Sequence, residues 1–384
     1  MRQKDGFAIT RIQQIPYLLP FGQNIAENRR GIRLNESGVF LWNALAENTD
    51  RDTLLQKYIE RYGSGIRHSD LEQDMDVFLQ QLSAYGVLEE DNKTFPVLAS
   101  LSIGGLPVTI RSEESLLLHE NLSAFSIDYE DTPKLTIICR HATSTDSIPW
   151  GGKMLIRTDE LIVCENEYEY VLLFPQMKQI FFTKIKKDGT EALICYHPTS
   201  PSLLTEPLFH VMRFLYLYLA QKNGCYIMHS ASILYQDRAW LFSGSSGTGK
   251  STHTNMWQRL FHVPVINGDL NLITLKNGTA FVCGIPWCGT SGLFDTKDYP
   301  LGGIVHLKQS GEIKVTPLPS GEKALFTAQR LISPAWNQEL FKKNIDFSEQ
   351  ISNLVPVLRL ACRADEESAH AMKQHIDTLL QKGS

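Results

Sequence analysis

Apolar positions recur at helical spacing through the first quarter of the chain. Phe40, Leu41, Ala44 and Leu45 share one helical face, and similar stripes follow from Leu54 to Ile59 and from Leu71 to Leu82. The pattern predicts three short helices, the third opening on a capping box formed by Ser69 and Glu72 and stopping near Gly86. Residues 8–12 and 17–19 read as short strands before them. We therefore predict a winged-helix-like N-terminal domain over residues 1–92.

After residue 92 the apolar residues no longer recur at helical spacing. They occur in short continuous or alternating runs. Runs at residues 135–139, 161–164, 170–174, 179–183 and 192–196 are rich in Val, Ile, Tyr and Phe and are separated by turn-forming residues. They predict a β-rich middle segment over residues 93–204. No residue pattern in this segment indicates chemistry of its own.

Helical and strand patterns alternate in the last part of the chain. A helix is predicted to begin at residues 205–207, with a proline in its first turn, and to end at Asn223 and Gly224. Strands follow at residues 227–229, 232–235 and 240–242, and a final amphipathic helix follows Asp365. The sequence predicts a multi-domain α/β (α+β) protein with a C-terminal domain over residues 205–384.

A glycine-rich stretch in the C-terminal domain carries the strongest chemical signal. Gly244, Gly249, Lys250 and Ser251 match the phosphate-loop spacing, with a strand predicted before them and a helix after them. Lys250 is expected to reach the phosphates, and the Ser251 hydroxyl is expected to bind Mg²⁺. The predicted cofactors are ATP and Mg²⁺. The predicted cofactor-binding residues are Gly244, Ser245, Ser246, Gly247, Thr248, Gly249, Lys250, Ser251 and Thr252.

Two polar residues flank this loop in sequence. His229 ends the predicted strand at residues 227–229, and Asp269 follows a predicted strand that starts at Val263. Strand ends gather at one edge of a phosphate-loop sheet, so Asp269 is the predicted base and a metal ligand. With Lys250 and His229 it forms the predicted catalytic set. A second positive charge could come from several residues among which the sequence does not choose, namely Lys297, Lys308, Arg330, Arg359 and Arg363.

Composition excludes several classes of partner. The chain has 384 residues, 43% hydrophobic and 21% charged, which suits two or three ordinary globular domains. A net charge of -5 gives no general attraction to nucleic acid or to anionic membranes. No apolar run is long enough to span a bilayer and no signal-peptide layout opens the chain, so we expect a cytoplasmic protein. Seven scattered cysteines, an odd number, argue against a disulfide framework.

The charge of the N-terminal domain bears on a DNA-binding interpretation. Residues 1–92 hold ten Lys and Arg against fourteen Asp and Glu, whereas a reader of the phosphate backbone needs a basic face. The one basic cluster is Arg29, Arg30 and Arg33. A solvated surface, an anchor for an acidic peptide and a DNA contact all remain open for it.

The N-terminal domain contains two characteristic stretches, residues 31–42 (GIRLNESGVFLW) and 76–88 (DVFLQQLSAYGVL), with a helix between them. In these stretches it resembles the PqqD-like family. Members of this family are winged-helix chaperones for the leader peptides of ribosomally made, modified peptides. The resemblance implies that a leader peptide adds as a strand to the small sheet, against a helix.

The C-terminal domain resembles the HPr kinase/phosphorylase family and its lasso-peptide kinase relatives, which are similar to phosphoenolpyruvate carboxykinases. The order Met228-His229, then residues 244–251 (GSSGTGKS), then Asp269 carries this resemblance. HPr kinases usually have two adjacent aspartates where this chain has Gly268 and Asp269, and the later acidic signature is missing. One carboxylate in place of two leaves a one-metal kinase possible, because phosphoryl transfer depends mainly on positioning and charge neutralisation.

Together these patterns predict a Mg-ATP-dependent kinase that phosphorylates a hydroxyl, most simply serine, on a peptide held through its leader. The resemblance also implies that the protein could form a homo-oligomer. No nucleic-acid or membrane partner is expected. Two alternatives stay open: a kinase of a small hydroxyl metabolite, and an ATP-binding regulator that transfers no phosphate.

Overall fold

The computed structural model describes residues 2–4, 6–22, 31–47, 49, 51–85, 87–89, 95–128, 132–143, 146, 148–149, 152–245 and 247–383. Ser246, Gly86, Arg29 and Arg30, which the sequence singled out, lie outside these residues. The chain divides into two compact units, one made of residues 1–95 and 143–175 and the other of residues 96–142 and 176–384. The fold is a mixed α/β, multi-sheet architecture.

Helices and strands are numbered along the chain. The helices are α1 Glu36–Ala44, α2 Arg51–Tyr62, α3 His68–Ala84, α4 Pro201–Lys222, α5 Lys250–Phe261, α6 Ser320–Ala328, α7 Gln338–Leu354 and α8 Glu366–Gly383. The strands are β1 Arg2–Gln3, β2 Phe7–Ile12, β3 Ile15–Pro20, β4 Ile32–Arg33, β5 Leu88–Glu89, β6 Val97–Ile103, β7 Leu106–Ser112, β8 Leu135–His141, β9 Lys153–Arg157, β10 Ile162–Glu165, β11 Glu169–Leu173, β12 Ile180–Lys186, β13 Glu191–Tyr196, β14 Tyr226–Tyr235, β15 Arg238–Ser243, β16 Val265–Asn267, β17 Leu270–Lys276, β18 Thr279–Cys283, β19 Tyr299–Gln309, β20 Lys314–Pro317 and β21 Val357–Cys362.

The first unit holds a small antiparallel sheet and three helices. Its strands run in the order β2-β3-β4, and α1, α2 and α3 contribute to one buried core with Leu18, Leu41, Leu54 and Met75. The strands and helices predicted for this region are present. The predicted capping box is wrong, because α3 begins at His68 with Arg67 at its N-cap, and the Arg67 side chain makes no capping hydrogen bond. Strands β9, β10 and β11 form an antiparallel set in the same unit.

Two sheets organise the second unit. Strands β6, β7, β8, β13 and β12 follow one another in the first sheet, with β8 parallel to both of its neighbours. The second sheet runs β15-β14-β17-β18-β19-β21-β20, and β15 also pairs in parallel with β19. Helices α5 and α8 cover this sheet through a buried cluster that includes Trp257, Met372 and Ile376.

Two predicted boundaries in the second unit are wrong. Helix α4 begins at Pro201, with Ser200 at its N-cap, so Pro207 lies inside the helix. The two strands predicted at residues 227–229 and 232–235 are one strand, β14. His229 therefore lies within a strand and not at its end. Among the described residues, no helix is both long enough and apolar enough to cross a membrane.

Candidate functional site

The glycine-rich stretch joins a strand to a helix, in the order that the sequence predicts. β15 ends at Ser243 and α5 begins at Lys250, with Gly249 at the N-cap in the left-handed region at φ 95°. The turn is compact, since Thr248 Oγ1 donates to the Ser245 carbonyl at 2.7 Å. A Cβ on Gly244 would lie 2.6 Å from Thr248 Oγ1 and 3.2 Å from the Leu307 carbonyl. The loop therefore leaves no room for a side chain at residue 244.

Lys250 turns back over this loop. Its Nζ lies 3.4 Å from the Gly244 carbonyl and 3.5 Å from the Ser245 carbonyl. Partial burial lowers the pKa of Lys250, and Arg330 lowers it further, while Asp269 acts in the opposite direction. Ser251 and Thr252 are exposed in the first turn of α5. A bare helix N-terminus with two cations beside it is a favourable place for an anion.

A buried asparagine sets the position of Asp269. Asn267 Oδ1 accepts hydrogen bonds from the backbone N–H of Asp269 at 2.9 Å and of Leu270 at 3.0 Å. The Asp269 carbonyl accepts from the Ser230 N–H at 2.9 Å. These bonds bring the turn between β16 and β17 against the middle of β14. Asn267 is not among the predicted site residues, although an Asn whose side chain bonds to the backbone two residues on is a known local signal for an Asx turn.

Asp269 meets His229 across this junction. His229 Nε2 lies 3.2 Å from Asp269 Oδ1, and both side chains are partly exposed. The hydrogen bond from His229 lowers the pKa of Asp269 against the opposing effect of burial, and the charges of Arg213 and Lys250 lower it further. Asp269 is therefore a carboxylate at neutral pH. The structure brings Asp269 and His229, two of the predicted site residues, together.

A second glycine loop packs against the acidic turn. A Cβ on Gly289 would lie 2.9 Å from both Cβ and Cγ of Asp269. A Cβ on Gly268 would meet Ser291, at 2.5 Å from its Cβ and closer still to its Oγ. Ser291 is held there because its hydroxyl donates to the Cys288 carbonyl at 2.7 Å. Ser291 thus takes the space that a second carboxylate at residue 268 would need.

Of the five cations that the sequence left open, Arg330 contacts the glycine loop. Its guanidinium donates to Ser245 Oγ at 3.3 Å, and its carbonyl accepts from the His229 N–H at 2.8 Å. Arg359 pairs with Glu322, and Arg363 pairs with Asp365. The order of residues along the chain contains no signal for this choice, because Arg330 reaches the loop through a β-bridge between Met228 and Leu331.

All seven cysteines are buried and free. Within the described residues, no group of three or more His, Cys, Asp or Glu side chains could hold a metal ion. The buried cysteine side chains contribute to the packing of the described part of the chain.

A second candidate site is a groove in the first unit. It is a cavity of about 540 Å³ between β4 and α3, with Leu34, Leu41 and Leu82 at its base. β4 is the last strand of its sheet among the described residues, and it pairs with β3 alone. One edge of a short strand and one face of a helix thus border a trough lined by both polar and apolar residues. An extended chain fits such a trough by adding to the edge of the sheet.

Comparisons with known proteins agree with the N-terminal resemblance. The family described as "Coenzyme PQQ synthesis protein D (PqqD)" matches residues 25–88, which form a PqqD domain. One similar solved structure is TbiB1 in complex with the TbiA(beta) leader peptide, at 20% identity and a TM-score of 0.20, covering 23% of this chain and 95% of that one. Another is the Hpr(Ser) kinase/phosphatase from Coxiella burnetii, at 8% identity and a TM-score of 0.26, covering 41% of this chain and 91% of that one. None of the curated proteins compared matches the chain.

Proposed function

We propose that the protein is a Mg-ATP-dependent kinase that phosphorylates a serine hydroxyl on a peptide held by its PqqD domain. One observation carries the catalytic half of this proposal: Asp269 lies 3.2 Å from His229, beside the loop that Lys250 covers. A carboxylate and an ammonium group at the end of a glycine loop are among the parts that phosphoryl transfer uses.

The residues around the loop fit a nucleoside triphosphate. The loop is too tight for a side chain at Gly244, so its backbone N–H groups can approach a phosphate closely. Lys250 and Arg330 would neutralise phosphate charge, and Ser251 and Asp269 would hold Mg²⁺. Two protein ligands suffice for Mg²⁺, which usually keeps several waters and phosphate oxygens. Bound Mg-ATP supplies the phosphoryl group that is transferred.

Asp269 is suited to positioning more than to strong base catalysis. Its lowered pKa keeps it ionised at neutral pH, so it accepts a hydrogen bond from the acceptor hydroxyl or holds the metal. The same low pKa makes it a weak proton acceptor. Because the transfer is largely dissociative, orientation of the acceptor oxygen and neutralisation of charge matter most.

The PqqD domain supports a peptide as the acceptor. Its groove between β4 and α3 has the shape for an extended segment. A segment bound there would raise the local concentration of the rest of the same peptide around the kinase site. A leader-dependent substrate gains from this tethering, whereas a free metabolite does not.

Peptides encoded by short reading frames beside the gene provide the test. Each peptide, and its Ser→Ala counterpart, would be incubated with the full chain and Mg-ATP, and its intact mass measured. We expect the serine peptide to gain one phosphoryl group and the alanine peptide to gain none. Lys250→Met should abolish the gain, while the control Lys314→Met, at an exposed lysine of β20, should retain it. Phosphorylation by Lys250→Met at the wild-type rate would refute the assignment.

An ATP-binding regulator without transfer is the second candidate. It is favoured by Gly268, whose packing against Ser291 leaves one carboxylate at the acidic turn. Tight ATP binding with no phosphorylation of any of these peptides, and no hydrolysis of ATP in their presence, would support this candidate over the kinase.

A further inference from the structure

The peptide groove of the first unit carries opposite charges on its two walls. Arg33 lies on β4, the strand wall, and Asp74 lies on α3, the helix wall, and both line the same cavity. Among the described residues, neither side chain forms an ion pair. Opposite charges that share a cavity without pairing are each available to a ligand.

A hydrogen bond from a buried tyrosine holds the Asp74 carboxylate in place. The hydroxyl of Tyr58, a buried residue of α2, donates to Asp74 Oδ2 at 2.6 Å. Within the described part of the chain, Asp74 Oδ1 has no partner. A carboxylate with one oxygen anchored and the other directed to solvent in a groove loses little side-chain entropy when it binds a cation.

Between these charges the base of the groove and part of the helix wall are apolar, and Gln81 adds a polar side chain to the same wall. Leu41 and Leu82 are buried at the base, and Val77, one turn after Asp74 on α3, is 46% exposed. Side chains of an extended peptide alternate between two faces, so one face of the peptide would meet this wall. Apolar contact would supply affinity, and the two charges would supply selectivity.

We propose that Arg33 and Asp74 make this groove select extended peptides that bring a carboxylate to the strand wall and a basic side chain to the helix wall. This inference rests on the proposed function of the groove as a peptide site. It assigns the leader peptide a chemical pattern: apolar residues flanked by one acidic and one basic residue.

A displayed library of random peptides, selected on the full chain, tests the pattern. We expect the wild-type selection to enrich Lys or Arg at one position and Asp or Glu at another. Asp74→Asn should remove the basic preference alone, and Arg33→Gln should remove the acidic preference alone. Asparagine still accepts the Tyr58 hydrogen bond, so Asp74→Asn should fold.

Matched controls lie just outside the groove. Asp70, one turn before Asp74 on α3, pairs with Arg67 on the surface at 3.0 Å, and neither lines the cavity. Asp70→Asn and Arg67→Gln should leave both preferences unchanged. For one resynthesised peptide, Asp74→Asn should weaken binding about fivefold, and this difference should shrink at high salt.

The outcomes separate the two claims. Peptides captured without any charge preference, or with a preference that Asp74→Asn and Asp70→Asn leave equally intact, would overturn the charge selectivity and leave the peptide site standing. Failure of the full chain to capture any peptide would overturn the peptide site and the selectivity together.

Discussion

His229 Nε2 lies 3.2 Å from Asp269 Oδ1, with His229 on β14 and Asp269 in the turn that leads into β17, a strand paired with β14. The pairing His229↔Leu270 between β14 and β17 places the acidic turn directly beside the histidine. A further hydrogen bond holds the backbone of His229: its carbonyl accepts from Ser243 Oγ at 2.9 Å. Ser243 is the last residue of β15, the strand that leads into the glycine loop. The sheet thus links the acid, the imidazole and the loop.

Removal of the His229 hydrogen bond should change the pH dependence of the reaction. The bond lowers the pKa of Asp269, and activity requires the carboxylate, so wild-type activity should persist to lower pH. In His229→Leu the pKa of Asp269 should rise, and the acid limb of kcat/KM should move to higher pH. At neutral pH, Asp269→Asn should reduce kcat by about two to four orders of magnitude. An unshifted acid limb in His229→Leu would contradict the role given to this contact.

Gly244 should be intolerant of a methyl group. The new Cβ would lie 2.6 Å from Thr248 Oγ1 and 3.2 Å from a backbone carbonyl, so the loop must deform. An overpacking penalty of about 1 to 3 kcal/mol would weaken ATP binding about fivefold to about 150-fold, measured by calorimetry. Gly311→Ala is the control, since no atom lies within 4 Å of a Cβ at that position. Equal affinity in the two variants would argue against a phosphate site in this loop.

Arg330 should matter for transfer more than for nucleotide binding. It contacts Ser245 at 3.3 Å, at the edge of the loop where transferred charge would develop. Loss of one such donor usually reduces kcat about a hundredfold to a thousandfold. We expect Arg330→Gln to show this loss with a small change in ATP affinity. Arg363→Gln, at an exposed arginine paired with Asp365, should behave like the wild type.

Residue 268 should have to be a glycine, because the Ser291 side chain occupies the space next to it. An aspartate at residue 268 would collide with the Ser291 side chain, so Gly268→Asp should lower the free energy of unfolding by about 1 to 3 kcal/mol. Ser291→Gly removes the colliding atoms. The double variant should therefore lose less stability than the two single variants combined, which denaturant titrations of all four proteins would measure. Strict additivity would mean that the two positions do not interact.

Buried histidines should make the second unit sensitive to acid. Burial lowers the pKa of His306 to about 4, with Arg330 and Arg359 adding to the effect. Its usual pKa is 6.5, so the unfolded chain binds a proton that the folded chain refuses, and stability falls as pH drops from 6.5 towards 4. At a pH of about 5 this penalty is about 2 kcal/mol.

His306→Leu isolates that penalty. The difference in unfolding free energy between this variant and the wild type, measured by denaturant titration, should shift in favour of the variant by about 2 kcal/mol between neutral pH and pH about 5. A difference that does not change with pH would show that His306 is not held neutral by burial.

Local signals predicted the elements around the loop. Gly249 marked the start of α5, and the stripe of Ala369, Met372 and Ile376 marked α8, because glycine in a turn and a helical apolar face act within a few residues. The PqqD resemblance of the N-terminal region is confirmed by the family match over residues 25–88. The three-domain division and the roles of the site residues stay predictions.

The predicted helix boundaries were wrong where two local signals competed. Ser69 resembled a cap, but the N–H groups of Asp70 and Leu71 already bond to the Arg67 carbonyl, so the turn closes two residues earlier. At α4 the signal of a polar cap followed by proline occurs twice, and Ser200 with Pro201 takes precedence over residues 205–207. Sequence alone does not rank such duplicates.

Contacts between residues far apart in the chain could not be predicted from the sequence. The choice of Arg330 among five cations depends on a bridge between β14 and the segment after α6. The reason for Gly268 depends on Ser291, which a separate loop brings to it. In each case the decisive partner is fixed by tertiary packing, which periodicity and spacing do not encode.

Phosphate transfer from labelled ATP to a groove-bound serine peptide tests the central claim most directly. The rate would be measured for the wild type, Lys250→Met and Asp269→Asn, with peptide binding measured separately by fluorescence anisotropy. We predict that both variants lose transfer and keep wild-type peptide affinity, because the two residues act at the glycine loop and not in the groove. Full transfer by both variants would contradict the proposed kinase site.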